Sequence, residues 1–387
     1  MRGYRYEALD GLRGLAAQVV LVSHALGMAF PHLSGWPAGA AEWVGRLAVM
    51  VFFSLSGFVI ATSLSRLIAV DRHRFVVPYA VHRLARIWPP LILAIVVTFA
   101  VGAIGQAGLP LLTRTGEPYR LDLIAFLRGI TLTFGPGDAT FVIDRALWSL
   151  RQEVYLYGVA AFAALAFVGR GAWRVLGGVV VLAMVAATAD RFFYLQSLAL
   201  FTAGAGAALY GADTRLRALA ASPLLWPVTI GCLVAPLAFA GMPGFIHAQS
   251  ENPAFLAYQA ALGLPFALCL LALATRPGAT ARAFERLSGT ASFSYTLYVI
   301  HVPVMTLVFS LRAHLGIAPG LGGTLATLAL ALILIEAVSF GAALVVERPR
   351  FFRALLFRLL RRADLQGPAP GAPQVEASST SAASPSR

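Results

Sequence analysis

The sequence predicts an all-α fold, a polytopic membrane bundle of about ten transmembrane helices with both ends on the cytoplasmic side. Three observations carry this expectation. Of the 387 residues, 59% are hydrophobic and 12% charged, about half the charge that a soluble domain carries, roughly 25%. Apolar runs of membrane-crossing length recur along the chain, interrupted by Gly and Pro, which membrane helices tolerate because neighbouring helices satisfy the freed backbone groups. The cationic residues are all Arg, and they collect in the gaps between the runs.

In order, the runs lie near 12–30, 46–65, 88–106, 147–168, 174–189, 192–210, 223–242, 254–275, 294–312 and 323–345. A cytoplasmic N-terminus places 21 arginines on the inner side and 8 on the outer, Arg387 set aside, and such an excess fixes orientation. An even number of spans returns the C-terminus to the cytoplasm. The inner gap 66–87 is dense in Arg and His, and the outer gap 107–146 contains an amphipathic stretch at 121–134 suited to the membrane surface. Residues 1–363 therefore read as one integral membrane domain. The stretch 364–387, rich in Pro, Ala, Ser and Gly, has too little apolar surface to fold and reads as a disordered cytoplasmic tail. A charged start before an apolar run imitates a signal peptide, but Asp10 and Arg13 interrupt the approach and no small-residue cleavage site follows.

The net charge of +13 is spread through the gaps and does not mark one face of a folded domain, so it argues for a lipid bilayer as partner and against nucleic acid. Cys232 and Cys269 both lie in apolar spans and read as buried thiols. No phosphate-cradling loop with its Lys, dinucleotide fingerprint, His/Cys cluster with metal spacing or nucleophile elbow is present. What remains is a metal-free site of His, Arg and carboxylates inside the membrane.

The first span carries the sharpest pattern. In a helix, Arg13 and His24 are eleven residues apart, three turns plus about 20°, so both project from one stripe roughly 16 Å apart. An intramembrane charge and imidazole at two depths suggest a path from a polar surface to a reaction centre. The plainer alternative is an arginine snorkelling to the interface and a histidine bonding a neighbouring helix. Arg83 and Arg86, at i and i+3, share a face and can grip an anion, or they serve only as inner-side anchors. Ser54, Ser56 and Gly57 read as close helix packing. Trp148 suits the interface, whereas Glu153 lies about a turn inside the outer boundary, with Arg151 or Arg145 as its expected partner. His301 is a second intramembrane imidazole beside Pro303, Glu336 faces a polar partner in the bundle, and Glu347 reads as an ion pair with a neighbouring Arg.

Taken in order, these segments resemble the membrane-bound acyltransferase family three, the O-acetylases of bacterial surface polysaccharides and their relatives. The resemblance runs from about residue 7 to 353. It rests on Leu9-Asp10-Gly11-Leu12-Arg13-Gly14 with the spacing to His24, on Phe53-x-Leu-Ser-Gly-Phe58, and on the Arg-containing segment before Trp88-Pro89-Pro90. Leu147-Trp-Ser-Leu-x-x-Glu153, Phe293-Ser-Tyr-x-Leu-Tyr-x-x-His301 and Glu347-x-Pro349 complete it. His82 stands where the family often has a first Arg, Arg151 replaces a small residue, and Val154 replaces a second Glu.

The resemblance implies a ten-helix enzyme of the bacterial inner membrane. It would take an acyl group, acetyl by family habit, from cytoplasmic acyl-CoA and place it on a hydroxyl of a carbohydrate or lipid-linked glycan. It also implies that Arg13 and His24 are the essential pair and that Arg83 and Arg86 bind the donor. Burial disfavours the charged imidazole, so His24 is expected to act as a neutral general base, with Glu153 also placed in the catalytic set. Asp10, Glu153 and His301 are open candidates for orienting His24 or the acceptor, and Trp148 and Tyr295 for supporting it. The rival expectation is a transporter or flippase that moves a substrate unaltered, for which intramembrane Arg, His and Glu are equally suited.

Overall fold

The computed structural model describes residues 6–362 apart from 114–115, 189–190 and 318–319, with only the backbone described for Phe192, Arg361 and Arg362. The expected tail, 364–387, lies outside the described residues. Among those described there is no strand, only an isolated bridge between Arg120 and Asp138.

Helices occupy all ten predicted spans. Six are long and apolar enough to cross a membrane, or seven if one bent pair counts as a single span, and they mark a multi-pass membrane protein. Three come first: α1 (Tyr6–Ala29), α2 (Gly35–Val70) and α3 (Val76–Gln106). Then α4 (Leu123–Ile130) and α5 (Ala139–Ile143) fold the long gap, followed by α6 (Leu147–Val168), α7 (Ala172–Ala186) and α8 (Phe192–Leu209). The bent pair is α9 (Thr214–Ala221) with α10 (Leu225–Val234) and its 3-10 extension, at 70°. After α11 (Phe245–Glu251), the helices α12 (Pro253–Ala261) and α13 (Gly263–Thr275) make one span. The chain ends with α14 (Ala279–Arg286), α15 (Ser294–His314), α16 (Leu321–Val346) and α17 (Pro349–Arg362). Of the other predicted spans, α7 has only 15 residues and α6 carries Arg151 and Glu153.

Small residues decide how closely the central helices pack. A Cβ built on Gly57 of α2 would fall 1.9 Å from the carbonyl oxygen of Phe201, and one on Gly204 of α8 would fall 1.9 Å from that of Ser54. The α2–α8 crossing is thus backbone against backbone in both directions, the packing that small residues allow in membranes. The same device seats α1. Gly11 faces the carbonyl of Phe284 and Gly14 faces Thr290, where added Cβ atoms would come within 1.8 and 2.0 Å.

The gap expected at 66–87 is largely helical, because α2 runs to Val70 and α3 begins at Val76. Only Asp71–Phe75 turns, and the Asp71 carboxylate accepts from the backbone N–H of His73 and Arg74. At the other end of the bundle, the expected surface stretch forms α4, capped by Asp122 accepting from the Ala125 N–H and exposing Leu123, Ile124 and Leu127. Its loop is pinned by Asp138, buried and held by Arg120 at 3.2 Å and Arg128 at 3.6 Å.

Candidate active site

Two connected spaces open at the arginine-rich end of the bundle. The outer one is a vestibule of about 400 Å³ whose polar lining is Tyr6, Ser63, Arg66, His82 and Arg353, together with Arg83 and Arg86. Val59, Arg83 and Arg86 also line the second space, a narrow cavity of about 60 Å³ that continues inward. Its polar walls are Arg13 from α1, Ser56 from α2, Glu153 and Tyr157 from α6, and Tyr295 and Tyr298 from α15.

Each guanidinium is aimed by a local contact. Arg13 bonds Asp10 at 3.1 Å and donates to the carbonyl of Ala291 at 3.3 Å, a contact that the close seat of Gly11 and Gly14 permits. Asp10 therefore serves Arg13 and not His24. Arg83 lies over the rings of Tyr79 and Tyr157 and donates to Ser63. Such stacking leaves a planar cation facing the cavity with its edge available. The Nε atoms of Arg13 and Arg83 and the hydroxyl of Tyr295 are buried with no hydrogen-bond partner among the described residues. All three are donors, as an anionic or carbonyl-bearing ligand requires.

Glu153 takes neither Arg151 nor Arg145 as its hydrogen-bond donor. Its Oε1 accepts from Ser56 at 2.8 Å and from the Tyr157 hydroxyl, while Arg151 donates to the Phe134 carbonyl and lies over its ring. Ser56 is thus a polar member of the site, and Gly57 beside it is the packing residue. Glu347 caps α15 by accepting from the Thr296 N–H at 2.7 Å, with Arg13 and Arg86 near enough to act on its charge. Trp148 packs on Phe193 at 4.8 Å between ring centroids and lines neither space.

The two intramembrane imidazoles meet. His24 Nδ1 lies 2.8 Å from His301 Nε2, with the rings nearly parallel. His301 Nδ1 is 2.8 Å from the carbonyl of Tyr298 and 3.2 Å from that of Leu297. A carbonyl can only accept, so His301 Nδ1 carries the proton and Nε2 of the neutral ring is the acceptor. His24 must then donate from Nδ1, which makes its Nε2 the basic nitrogen. His301 is fully buried and His24 half-buried. The narrow cavity stops one helical turn short of this pair, at Phe52 and Tyr298, whose rings meet edge to face at 5.5 Å. Ser149 holds the Tyr298 hydroxyl at 2.5 Å.

A family model described as an acyltransferase domain, Acyl_transf_3, matches residues 6–336. The chain belongs to this acyltransferase family. No curated protein and no solved structure matches it. The matched range of the acyltransferase contains every predicted site residue, from Asp10 and Arg13 to His301. It stops short of Arg353, which the sequence reading did not single out and which the fold brings to the vestibule. Arg66 and Ser63 were also missed, because a lining role depends on how α2 and α3 cross and not on spacing within either helix.

Proposed function

We propose that this membrane acyltransferase moves an acyl group, acetyl in the first instance, from cytoplasmic acyl-CoA to a hydroxyl of a sugar or lipid-linked glycan at a bacterial inner membrane. One observation carries the reading: a cationic vestibule shares Arg83 and Arg86 with a narrow, mostly apolar cavity that has polar groups set in its wall, and a paired imidazole stands one turn past its end. The vestibule suits the phosphates of the donor, because Arg forks bind phosphate oxygens bidentately. The cavity suits a slim arm, with Glu153, Ser56 and Tyr157 offering hydrogen bonds along its wall. The rings of Phe52 and Tyr298, in contact here, close the inner end of the cavity and must part for the reactive end to reach His24.

There, His24 Nε2 takes the proton of the acceptor hydroxyl as its oxygen attacks the thioester carbon. The C–O bond forms, the C–S bond breaks, and the departing thiolate recovers the proton from His24. His301 accepts from His24 Nδ1 throughout, so the positive charge that builds on His24 strengthens an existing bond. General-base assistance of this kind contributes typically 10²–10⁴-fold.

The test uses purified protein in detergent with labelled acetyl-CoA, following free CoA and label on hydroxyl-bearing acceptors. Release of CoA coupled to acceptor labelling is expected, and His24→Ala should abolish both while the protein stays in the membrane. Near-normal transfer by His24→Ala removes it as the base. Movement of substrate with no CoA released would favour a transporter or flippase.

A further inference from the structure

The last helix has a surface that neither the bundle nor the vestibule uses. α17 reads PRFFRALLFRLLRR, with five arginines and no carboxylate. It packs against α3 with Phe352, Leu356 and Leu360 half-buried, whereas Phe351, Leu355 and Leu359 stay 61%, 42% and 51% exposed. At about 100° per residue these three form a stripe roughly 80° wide. Arg358 and Arg350, both exposed, lie along one edge of that stripe. The outward surface of α17 therefore grades from apolar to basic around the helix.

Its position fixes what covers that surface. α16 exposes Phe340, Leu344 and Val345, and Phe351 continues that apolar surface after the two-residue interruption at Glu347 and Arg348, across which the two helices run on as one span. α16 and α17 together form one span of 40 residues, Leu321–Leu360, about 60 Å at 1.5 Å per residue. That outreaches the hydrocarbon core, about 30 Å, and carries α17, apolar on one edge and cationic on the next, to the headgroups. Basic residues there are drawn to the phosphates of an anionic leaflet. On the far side of the same helix, Arg353 lines the vestibule and donates to His82 Nε2 at 3.5 Å.

We propose that α17 is a docking surface for anionic phospholipid. Phe351, Leu355 and Leu359 enter the leaflet at the arginine-rich end of the bundle, Arg350 and Arg358 meet phosphate headgroups, and this seat holds Arg353 over the vestibule. The lipid contact stands apart from the acyl-transfer reading, and only the service of Arg353 to a donor rests on it.

The full chain, with Cys232→Ala and Cys269→Ala, is spin-labelled at Leu355→Cys, Leu359→Cys or Ala354→Cys and placed in nanodiscs. The discs contain phosphatidylcholine alone or mixed with phosphatidylglycerol. In the anionic discs, labels at 355 and 359 should favour oxygen over a water-soluble nickel chelate several-fold more than the label at 354. That preference should fall in phosphatidylcholine alone and in the double variant Arg350→Gln/Arg358→Gln. Labels at 355 and 359 open to nickel in both kinds of disc would overturn the lipid seat. Shielding that ignores lipid charge and the double variant would overturn the anionic assignment. Spin–spin broadening between labels would put a second copy on the stripe and overturn it as well. None of these readings needs an acyl donor, so failure of the enzymatic proposal leaves the result interpretable.

Discussion

His301→Ala is the perturbation that tests the paired imidazoles most directly. It removes the acceptor 2.8 Å from His24 Nδ1 and frees the ring to rotate or change tautomer. In the proposed transition state His24 carries a positive charge, and a hydrogen bond from a charged group is worth about 1.5–3 kcal/mol. Losing it should therefore slow the chemical step about 10- to 150-fold. The proposed donor contact on α1, Arg13, lies three turns from His24, and Arg83 and Arg86 lie on another helix, α3, so the KM for the donor should hold while kcat falls. His301→Gln places a carbonyl oxygen within similar reach and should recover part of the loss. The assay is CoA release against donor concentration, with size-exclusion profiles confirming that each variant stays folded. A kcat within about threefold of the parent, below the smallest loss this hydrogen bond predicts, would refute the role assigned to His301. So would a change confined to KM.

Two further predictions concern stability. Gly57→Ala should lower the thermal midpoint in detergent by several degrees, because its new Cβ would lie 1.9 Å from the Phe201 carbonyl oxygen and overpacking costs about 1–3 kcal/mol; an unchanged midpoint would show that α2 and α8 separate freely. Asp144 is fully buried, and burial raises its carboxyl well above the usual carboxylate range, against weaker pulls from the Ala146 backbone and Thr98. Folding thus favours the protonated acid, while the unfolded chain releases that proton above about pH 4, so the stabilising share is complete at low pH and lost as pH rises. Asp144→Asn should match the parent near pH 4 and exceed it at about pH 8 in thermal denaturation. An unaltered pH dependence would remove Asp144 as the cause.

What the sequence could show was what one helix holds by itself. Arg13 and His24 share a stripe by periodicity alone, and Arg83 and Arg86 share a face, and the fold keeps both arrangements. An intramembrane His24 was visible in the sequence, but its partner was not, since choosing among Asp10, Glu153 and His301 requires knowing which helices touch. Asp10 went to Arg13, Glu153 to Ser56 and Tyr157, and His301 to His24. The glycines of the first motif seat α1 against the backbone near Phe284 and the side chain of Thr290, a purpose that no pattern within α1 reveals. Ten apolar runs were legible; among the described residues six have the length and apolarity to span, or seven with the bent pair counted as one. Arg151 and Glu153 in α6, the brevity of α7 and the bend after α9 set the others apart.

The two contacts between α1 and α15 work like rungs fastened to the same pair of uprights. Arg13 reaches the carbonyl of Ala291 just before α15, and His24 reaches His301 three turns later, so the helices run in the same direction. Sliding one upright along the other by a single turn, about 5.4 Å, would unhook both rungs at once. A motion that frees Arg13 in the wall of the narrow cavity must also strip the remote imidazole of its partner. The position of the guanidinium and the pairing of the imidazoles are thereby set together by one pair of helices.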